Sequence, residues 1–278
     1  MEKKTTAFLA IFLSSFFALS AQAQKLPGVQ DSSVWAPPTI KIDGKATEWE
    51  GKFKAYNGAT GLFYTLSNDD KNLYLTVMAT DAEIINYKLL SGGLTLIIQQ
   101  TNKKNDKAGV SISYPIFDNA NRPSFYLNNP RERAPVVDPE AFYDSIMVAN
   151  NTKLTTSAKS IKVMGISDID SIISVYNTDN IKAAGLFDNK KRFTCELSIP
   201  LALLNIGQPG TFFYHIMLNG GPARYMRQIP VIFGGRDANG VAASQDKIDE
   251  TNAKLAATYS SRYAATDFWG QYTFAKKP

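Results

Sequence analysis

The stretch that decides the fold runs from Thr39 to Asp81. It begins TIKIDGKATEWEGKF and ends, from Tyr64 onward, YTLSNDDKNLYLTVMATD. Apolar residues alternate in its last part, which is the period of a strand with one face against a core. The segment Asn68–Asn72 separates two such runs and consists of Asn, Asp and Lys, residues that favour a tight turn. The pattern therefore predicts a hairpin of a β-sandwich. Its inner face carries Leu73, Leu75, Val77 and Ala79, and its other face Tyr74, Thr76, Met78 and Thr80.

Short runs of the same kind recur along the chain, with Gly, Asn and Asp between them. They predict an all-β fold, an antiparallel β-sandwich of jelly-roll or immunoglobulin-like type. Two long loop insertions, at 115–143 and 220–261, interrupt the strands, and we expect one or two short helices, one of them beginning after Ser244. The predicted strands are Gly61–Ser67, Asn72–Thr80, Leu94–Gln100, Gly109–Tyr114, Ser145–Ala149, Ile161–Gly165, Ser171–Tyr176, Arg192–Ile199, Thr211–Asn219, Ile229–Phe233 and Gly270–Ala275.

The chain begins with the features of an export signal. Lys3 and Lys4 precede the apolar run Ala7–Leu19, and the small residues Ala21 and Ala23 mark a cleavage position. The apolar run is too short to span a bilayer, and no later run is longer, so we expect no transmembrane segment. The protein is predicted to be exported from a bacterial cell, as a periplasmic or secreted protein. The predicted organisation is a signal peptide at 1–23, a tether at 24–38 and one domain at 39–278.

Charge, cysteine and motif content argue against several classes of protein. The chain has 30 basic and 25 acidic residues without a long basic run, so we expect no nucleic-acid partner. Cys195 is the one cysteine; it alternates with apolar neighbours and is predicted to be buried rather than nucleophilic. Glu196 falls on the opposite strand face, where we expect a structural, hydrogen-bonding role. No catalytic constellation is identifiable in the sequence, so no enzymatic activity is predicted.

Three segments carry a family-like pattern. An Ile-Asp-Gly turn at Ile42–Gly44 precedes Trp49, Phe193–Leu204 reads FTCELSIPLALL, and Thr266–Phe274 reads TDFWGQYTF. Together they resemble the opening, the Glu-x-x-Ile-Pro segment and the closing strand of the family 9 carbohydrate-binding-module-like domains, relatives of the DOMON sandwiches. The resemblance covers most of the chain after the signal. It implies a β-sandwich that binds a polysaccharide or oligosaccharide without catalysing a reaction.

A sugar-binding surface needs exposed aromatic rings for the sugar C–H groups and polar side chains for the hydroxyls. Trp49 and Trp269 belong to the family-like segments and are predicted to lie in the core, so the candidates come from the two insertions, since loops often carry binding residues. The alternative is that these loops pack on each other and merely cover a sheet. The predicted ligand-binding residues are Phe125, Tyr126, Arg131 and Arg133 in the first insertion and Arg224, Tyr225 and Arg227 in the second.

Two other functions stay open. The loops can instead serve a protein partner or a structural role in the cell envelope. Sandwiches of the DOMON type can also hold haem through Met with His or Lys, which makes His215 a candidate ligand in a redox module. Met217 lies on the same strand face as His215, so the two cannot bind one iron from opposite sides. The second ligand would have to be Met78, Met147, Met164 or Met226.

Calcium is the cofactor that the resemblance implies. Calcium needs several carboxylate and carbonyl oxygens at once. Asp43 and Glu48 belong to the family-like opening, and Asp81 ends the Asn-Leu-Tyr strand that follows it in the same family pattern, but the sequence has no Asp-x-Asp-x-Asp loop. A calcium site would therefore have to be assembled from distant segments, and no ligand set follows from the sequence.

Overall fold

The computed structural model describes residues 25–102, 109–118, 122–127, 138–206, 210–221, 231–236 and 240–278. The predicted signal peptide lies outside the described residues. Within the described part, the chain forms two antiparallel sheets, two helices of 19 residues each and a few short helical turns. The predicted all-β sandwich with helical insertions is confirmed.

Within the described residues, eleven strands build the two sheets. The five-stranded sheet has the order β1-β2-β3-β9-β8, and the six-stranded sheet has the order β11-β10-β4-β5-β6-β7, with antiparallel neighbours throughout. The short strands β1 and β8 are additions to the strands predicted from the sequence. In chain order the strands are β1 (Ala55–Asn57), β2 (Leu62–Asn68), β3 (Asn72–Ala79), β4 (Leu94–Gln99), β5 (Val110–Ile116), β6 (Ser160–Met164), β7 (Ile172–Ser174), β8 (Lys182–Phe187), β9 (Phe193–Pro200), β10 (Thr211–Leu218) and β11 (Thr266–Thr273).

The main core lies between the two sheets. The predicted inner face of β3 is almost completely buried in it, together with alternate residues of β10. Tyr64 of one sheet and Tyr214 of the other join their hydroxyls across the core at 2.9 Å. Cys195 belongs to the same cluster, and burial raises the pKa of its thiol, which confirms the prediction of a buried, unreactive cysteine. Each fully buried large apolar side chain contributes about 1.5–3 kcal/mol to this packing.

The run Ser145–Ala149, predicted as a strand, is helical. It lies inside the first helix, α1 (Pro139–Ser157), which begins after Asp138; the Asp138 carboxylate accepts a hydrogen bond from a backbone N–H of the first turn at 3.0 Å. Asn151 ties α1 to the edge strand β8, donating to the Phe187 carbonyl and accepting from its N–H, both at 2.8 Å. The strand prediction was wrong because a short apolar run does not separate strand from helix, whereas the upstream cap favours the helix.

The helix predicted after Ser244 is confirmed, and it is longer than expected. This helix, α2 (Gln245–Tyr263), has Ser244 at its N-cap position, although the hydroxyl makes no capping bond. Arg262 near its end pairs with Glu83 at 2.9 Å. The predicted strand Ile229–Phe233 is described only from 231 onward, and no strand forms in that described part. No helix in the described ranges combines the length and apolar character that crossing a membrane requires.

Residues 25–38, predicted as a tether, lie against the sandwich. Gln30 is buried, and its amide both donates to the Leu66 carbonyl and accepts from the Leu66 N–H, each at 2.8 Å. The Val34 N–H donates to the Tyr272 hydroxyl at 3.1 Å. The segment thus bonds to β2 of one sheet and to β11 of the other. It is part of the packed domain rather than a free tether.

Candidate functional site

The outer face of the five-stranded sheet is largely covered by the opening segment, residues 40–53. Trp49, Phe53 and Met78 form a small apolar cluster there, and Trp49 is only 5% exposed. The prediction that Trp49 is a core residue is confirmed, and the core that it joins is a second one, outside the sandwich. Most of this face is therefore closed to a ligand by the chain itself.

Glu196 holds this covering segment to the sheet. Its Oε2 accepts hydrogen bonds from the N–H groups of Asp43 and Gly44 at 3.0 and 2.9 Å, and its Oε1 accepts from the Thr76 hydroxyl at 3.2 Å. Burial raises the pKa of the Glu196 carboxyl to about 7, although these three hydrogen bonds favour the charged form. Gly44 has a φ of +82°, and a Cβ there would lie 2.7 Å from the backbone carbon of Gly185, so the turn requires glycine. The structural role predicted for Glu196 is confirmed.

The outer face of the six-stranded sheet carries a groove of about 640 Å³, a volume typical of sites for small ligands. Four adjacent strands, β10, β4, β5 and β6, form its floor, and their register aligns outward side chains across the strands. One such row contains Met217, Thr95, Ser113 and Lys162. The lining combines apolar side chains with hydroxyls, an amide and one ammonium group: Ile97, Met217, Thr95, Ser111, Ser113, Asn219 and Lys162.

A hydrogen-bond network fixes the polar side of this groove. The Thr95 hydroxyl lies 2.8 Å from the Ser113 hydroxyl and 3.0 Å from the Asn219 Oδ1. The Asn219 Nδ2 donates to the Gly92 carbonyl at 2.9 Å. Because each hydroxyl oxygen has two lone pairs and one proton, the network orients these groups and leaves acceptor capacity for a bound molecule. The groove thus presents pre-oriented hydroxyls beside apolar side chains.

An aromatic pair stands next to the groove, in the same cross-strand row as Ile97. His215 pairs with Ile97 in the sheet and Trp269 pairs with His215. The two rings are stacked, with centroids 4.2 Å apart and planes at 10°, and His215 Nε2 lies 3.4 Å from Asp267 Oδ1. The prediction of a core position for Trp269 was wrong, because the alternation in β11 turns Phe268 inward and leaves Trp269 half-buried on the outer face.

This geometry gives no support to haem binding by His215. Met78 lies on the outer face of the other sheet and Met147 in the core between the sheets. Met164 shares the outer face with His215 but lies three strands away, about 14 Å at the usual strand spacing. These three methionines are therefore not placed to bind the same iron as His215. Met226 lies outside the described residues.

Two of the predicted ligand-binding residues lie in the described part, and they differ. Phe125 packs inward, with its ring centroid 5.9 Å from those of Phe117 and Phe187. Tyr126 is 54% exposed, and the Lys153 Nζ lies 4.4 Å from the centroid of its ring. Tyr126 thus presents a ring to the solvent, whereas Phe125 anchors the segment. The other predicted residues, which all lie outside the described residues, are Arg131, Arg133, Arg224, Tyr225 and Arg227.

The two insertions leave the sandwich side by side. Phe117, at the start of the first, and Gly221, at the start of the second, line one cavity of about 310 Å³ together with Arg122. That cavity shares Gly92 and Asn219 with the groove. The residues that the sequence predicts to act together therefore belong to loops whose first residues meet at one end of the groove.

In the structure, Asp43, Glu48 and Asp81 do not come together as a group that could hold a metal ion. Among the described residues, no group of three or more His, Cys, Asp or Glu side chains is close enough to do so. Asp43, Glu48 and Asp81 each accept a hydrogen bond from a group one or two residues away, at 2.7 to 3.0 Å. These three carboxylates therefore serve local turns.

The groove residues Thr95, Ser111 and Ser113 were not among the predicted site residues. A signal for them existed, because the strand sequences LTLIIQ and VSISYPI place hydroxyls on the face opposite the core. The sequence does not show that β10, which is distant in the chain, lies beside β4 and completes the row with Met217. Strand order, rather than any single motif, creates the groove.

Comparison with models of known protein families finds no match for this chain, and comparison with curated proteins finds no similar sequence. The resemblance to the family 9 carbohydrate-binding-module-like domains therefore stays a prediction from three segments. Function has to be inferred from the geometry and chemistry of the groove.

Proposed function

We propose that this chain is an exported, non-catalytic protein that binds a polysaccharide or oligosaccharide in the groove of the six-stranded sheet. The observation that carries the proposal is the composition of the groove, where oriented hydroxyls and an amide line one surface with apolar side chains. A sugar ring has the complementary surface, with C–H groups on its faces and hydroxyls around its edge. The leader-like residues 1–23 support export.

The groove offers a separate partner for each part of a sugar. The half-buried Met217 and the exposed Met164 can pack against C–H groups, while the half-buried Ser111 and Asn219 can exchange hydrogen bonds with hydroxyls. Ile97, Thr95 and Ser113 are almost completely buried and form the floor below them. The groove is open along the sheet, which suits a chain of sugar units better than a single enclosed one. The exposed ring of Tyr126, and Tyr225 in the second insertion, would extend the contact beyond the sheet.

The test is calorimetric titration of the chain from Gln24 onward with a panel of neutral oligosaccharides, with and without calcium. Ser111 is half-buried on the groove floor, so Ser111→Phe fills the groove. We expect this variant to weaken saccharide binding at least about tenfold, equivalent to about 1.4 kcal/mol. Tyr126→Ala and Tyr225→Ala should weaken it as well.

Two control variants separate a specific effect from a general one. Ser260→Phe adds the same ring at an exposed position of α2, and Tyr176→Ala removes an exposed tyrosine outside the groove lining. Both should bind like the unaltered chain. Equal losses in Ser111→Phe and Ser260→Phe, or no heat with any saccharide, would contradict the proposal.

A protein partner in the cell envelope is the second candidate, and one observation favours it. Phe233 is 92% exposed, and Val231 and Val241 in the same region are also exposed. Apolar side chains so exposed favour contact with another macromolecule. Chemical cross-linking in the envelope fraction tests this candidate, with the unaltered chain and Phe233→Ser compared side by side. A cross-linked species that forms with the unaltered chain and not with the variant would support a protein partner at this surface.

A further inference from the structure

A second concave site lies at the edge of the opening segment, on the outer face of the five-stranded sheet. It is a cleft of about 550 Å³ in which three lysines, Lys41, Lys71 and Lys182, meet. They come from three distant parts of the chain. The rest of the lining is partly polar and partly apolar: Asn72, Asn180, Ser198, Tyr74, Ile40, Ile42 and Pro200. The cleft belongs to the opposite sheet from the groove and shares no lining residue with it.

The charge in this cleft is unbalanced. No Asp or Glu is among its lining residues, and within the described part of the chain none of the three lysines has a carboxylate within ion-pair distance. Asp69 bonds to the cleft lining, its oxygens accepting from the Lys71 N–H at 2.7 Å and the Tyr74 hydroxyl at 2.7 Å. Asp43, Asp70 and Asp179 are sequence neighbours of lining residues and do not themselves line the cleft. Burial, together with Asp69, raises the pKa of Tyr74 to about 12, so its phenol stays neutral. The net charge on the cleft lining is therefore positive.

The backbone of each lysine is fixed by the fold. Lys182 is paired with Ser198 in the sheet, and the Lys71 carbonyl accepts a hydrogen bond from the Leu201 N–H at 2.8 Å. Lys41 stands two residues before the turn that Glu196 holds. The three lysine side chains are exposed, and they start from backbone positions that packing and hydrogen bonds determine, as a binding site requires.

We propose that this cleft binds the negatively charged groups, carboxylate or sulfate, of an acidic saccharide. Lysine ammonium groups are compact point charges with three donors each, and the amides and hydroxyl of the cleft add further donors. A nucleic acid fits less well, because the ring of Tyr74 is buried and offers no surface on which a base could stack. That the ligand is a saccharide rests on the proposed function, whereas the anion site itself does not.

The test is titration of the chain from Gln24 onward with tetragalacturonate and, in parallel, with its methyl ester, which has the same sugars without charge. We expect tetragalacturonate to bind, and to bind more weakly at about 0.15 M than at about 0.01 M ionic strength, because salt screens exposed charges. The triple variant Lys41→Gln, Lys71→Gln and Lys182→Gln should bind it at least about tenfold more weakly. The ester should not bind in the cleft.

The matched control is the triple variant Lys52→Gln, Lys276→Gln and Lys277→Gln, which removes the same charge at exposed positions outside the cleft. Full affinity in this control supports a defined site, and equal losses in both triple variants overturn it. Tighter binding of single-stranded DNA than of tetragalacturonate would also overturn the proposal. Ser111→Phe fills the groove and should leave the affinity of the cleft for tetragalacturonate unchanged. If the unaltered chain binds tetragalacturonate but no neutral oligosaccharide, the proposed function of the groove is refuted and the anion site of the cleft is not.

Discussion

The two outer faces of this sandwich differ in what the chain does with them. On the five-stranded sheet, the opening segment buries Trp49, Phe53 and Met78 in a second apolar cluster. On the six-stranded sheet, the groove lies open and is lined by Thr95, Ser113 and Met217. Both faces belong to one antiparallel sandwich, so the fold alone does not decide which of them binds a ligand.

The difference shows how a sandwich is specialised. A strand with one face in the core can be buried on the other face only if additional chain covers it and satisfies its polar groups. Glu196 is such a group, and the covering segment supplies two backbone donors to it. The six-stranded sheet has the hydroxyls of Thr95 and Ser113 on its outer face, and these bond to each other and have acceptor capacity for a ligand. The covering segment therefore closes most of one face and leaves the lysine cleft at its edge, whereas the other face carries the groove.

The largest expected effect comes from opening the covered face. Trp49→Ala removes the largest side chain of the second cluster, and we expect it to lower the free energy of unfolding by about 3–5 kcal/mol. Urea denaturation followed by circular dichroism measures this change. Trp269→Ala is the matched variant on the open face, where the ring is half-buried and stacked on His215. It should cost clearly less, and equal losses at the two positions would contradict the distinction between the faces.

Period-two patterns predicted the sandwich well because they report directly which residues face the core. The alternation in β3 and the buried position of Cys195 could both be read from sequence neighbours. The same reasoning misplaced Trp269, since a family-like closing strand says nothing about which of its two faces an aromatic residue occupies. It also missed α1, where Asp138 and its cap lie outside the apolar run that was assigned to a strand.

The second prediction concerns the pH dependence of the stability that Glu196 contributes where it holds the covering segment to the sheet. Burial raises the pKa of Glu196 from 4.5 to about 7, so the folded chain holds this proton more tightly than the unfolded chain does. The resulting stabilisation is complete below about pH 4.5 and is lost as the pH rises through about 7. Over this range, we expect the contribution of Glu196 to the free energy of unfolding to fall by about 3 kcal/mol.

The control for this prediction is Glu196→Gln. The amide oxygen can accept from Asp43 and Gly44 as before, and the Thr76 hydroxyl can turn to accept from the amide nitrogen. Urea unfolding at several pH values should therefore show a shallower pH dependence in the variant, with stability retained above pH 7. An unchanged pH dependence would mean that other groups cause it.

The candidate sites were predicted less well than the fold, for a physical reason. Strand order brings together the row across the groove. The three lysines of the cleft meet because β8 pairs with β9 and because the opening segment packs on the same sheet. Both arrangements depend on contacts between distant segments. Of the two predicted binding residues in the described part of the chain, Tyr126 presents an exposed ring and Phe125 packs inward. The sequence indicated which loops leave the sandwich, and packing determined that they leave from one end of the groove.

The smallest expected effect on stability concerns a buried polar side chain on the outer face of the six-stranded sheet, for comparison with Glu196 on the other sheet. Gln99 lies on the outer side of β4 and is almost completely buried, and its amide N and O have no hydrogen-bond partner among the described residues. Gln99→Met keeps the length of the side chain and removes the unpaired polar atoms. We expect the free energy of unfolding to rise by about 1 kcal/mol, since an unpaired buried amide is destabilising. Urea denaturation measures this rise.

Glu196→Met is the matched substitution on the covered face, and it should change stability in the opposite direction. It replaces an acceptor of three hydrogen bonds, so the N–H groups of Asp43 and Gly44 and the Thr76 hydroxyl lose their partner. The comparison is best made at about pH 5, where Glu196 is protonated and its loss removes no buried charge. If Gln99→Met raises the free energy of unfolding and Glu196→Met lowers it, the buried polar groups are fully hydrogen-bonded on the outer face of the five-stranded sheet and not on that of the six-stranded sheet. A loss in Gln99→Met as large as in Glu196→Met would instead mean that the Gln99 amide is bonded in solution, and that the six-stranded sheet is as fully satisfied as its counterpart.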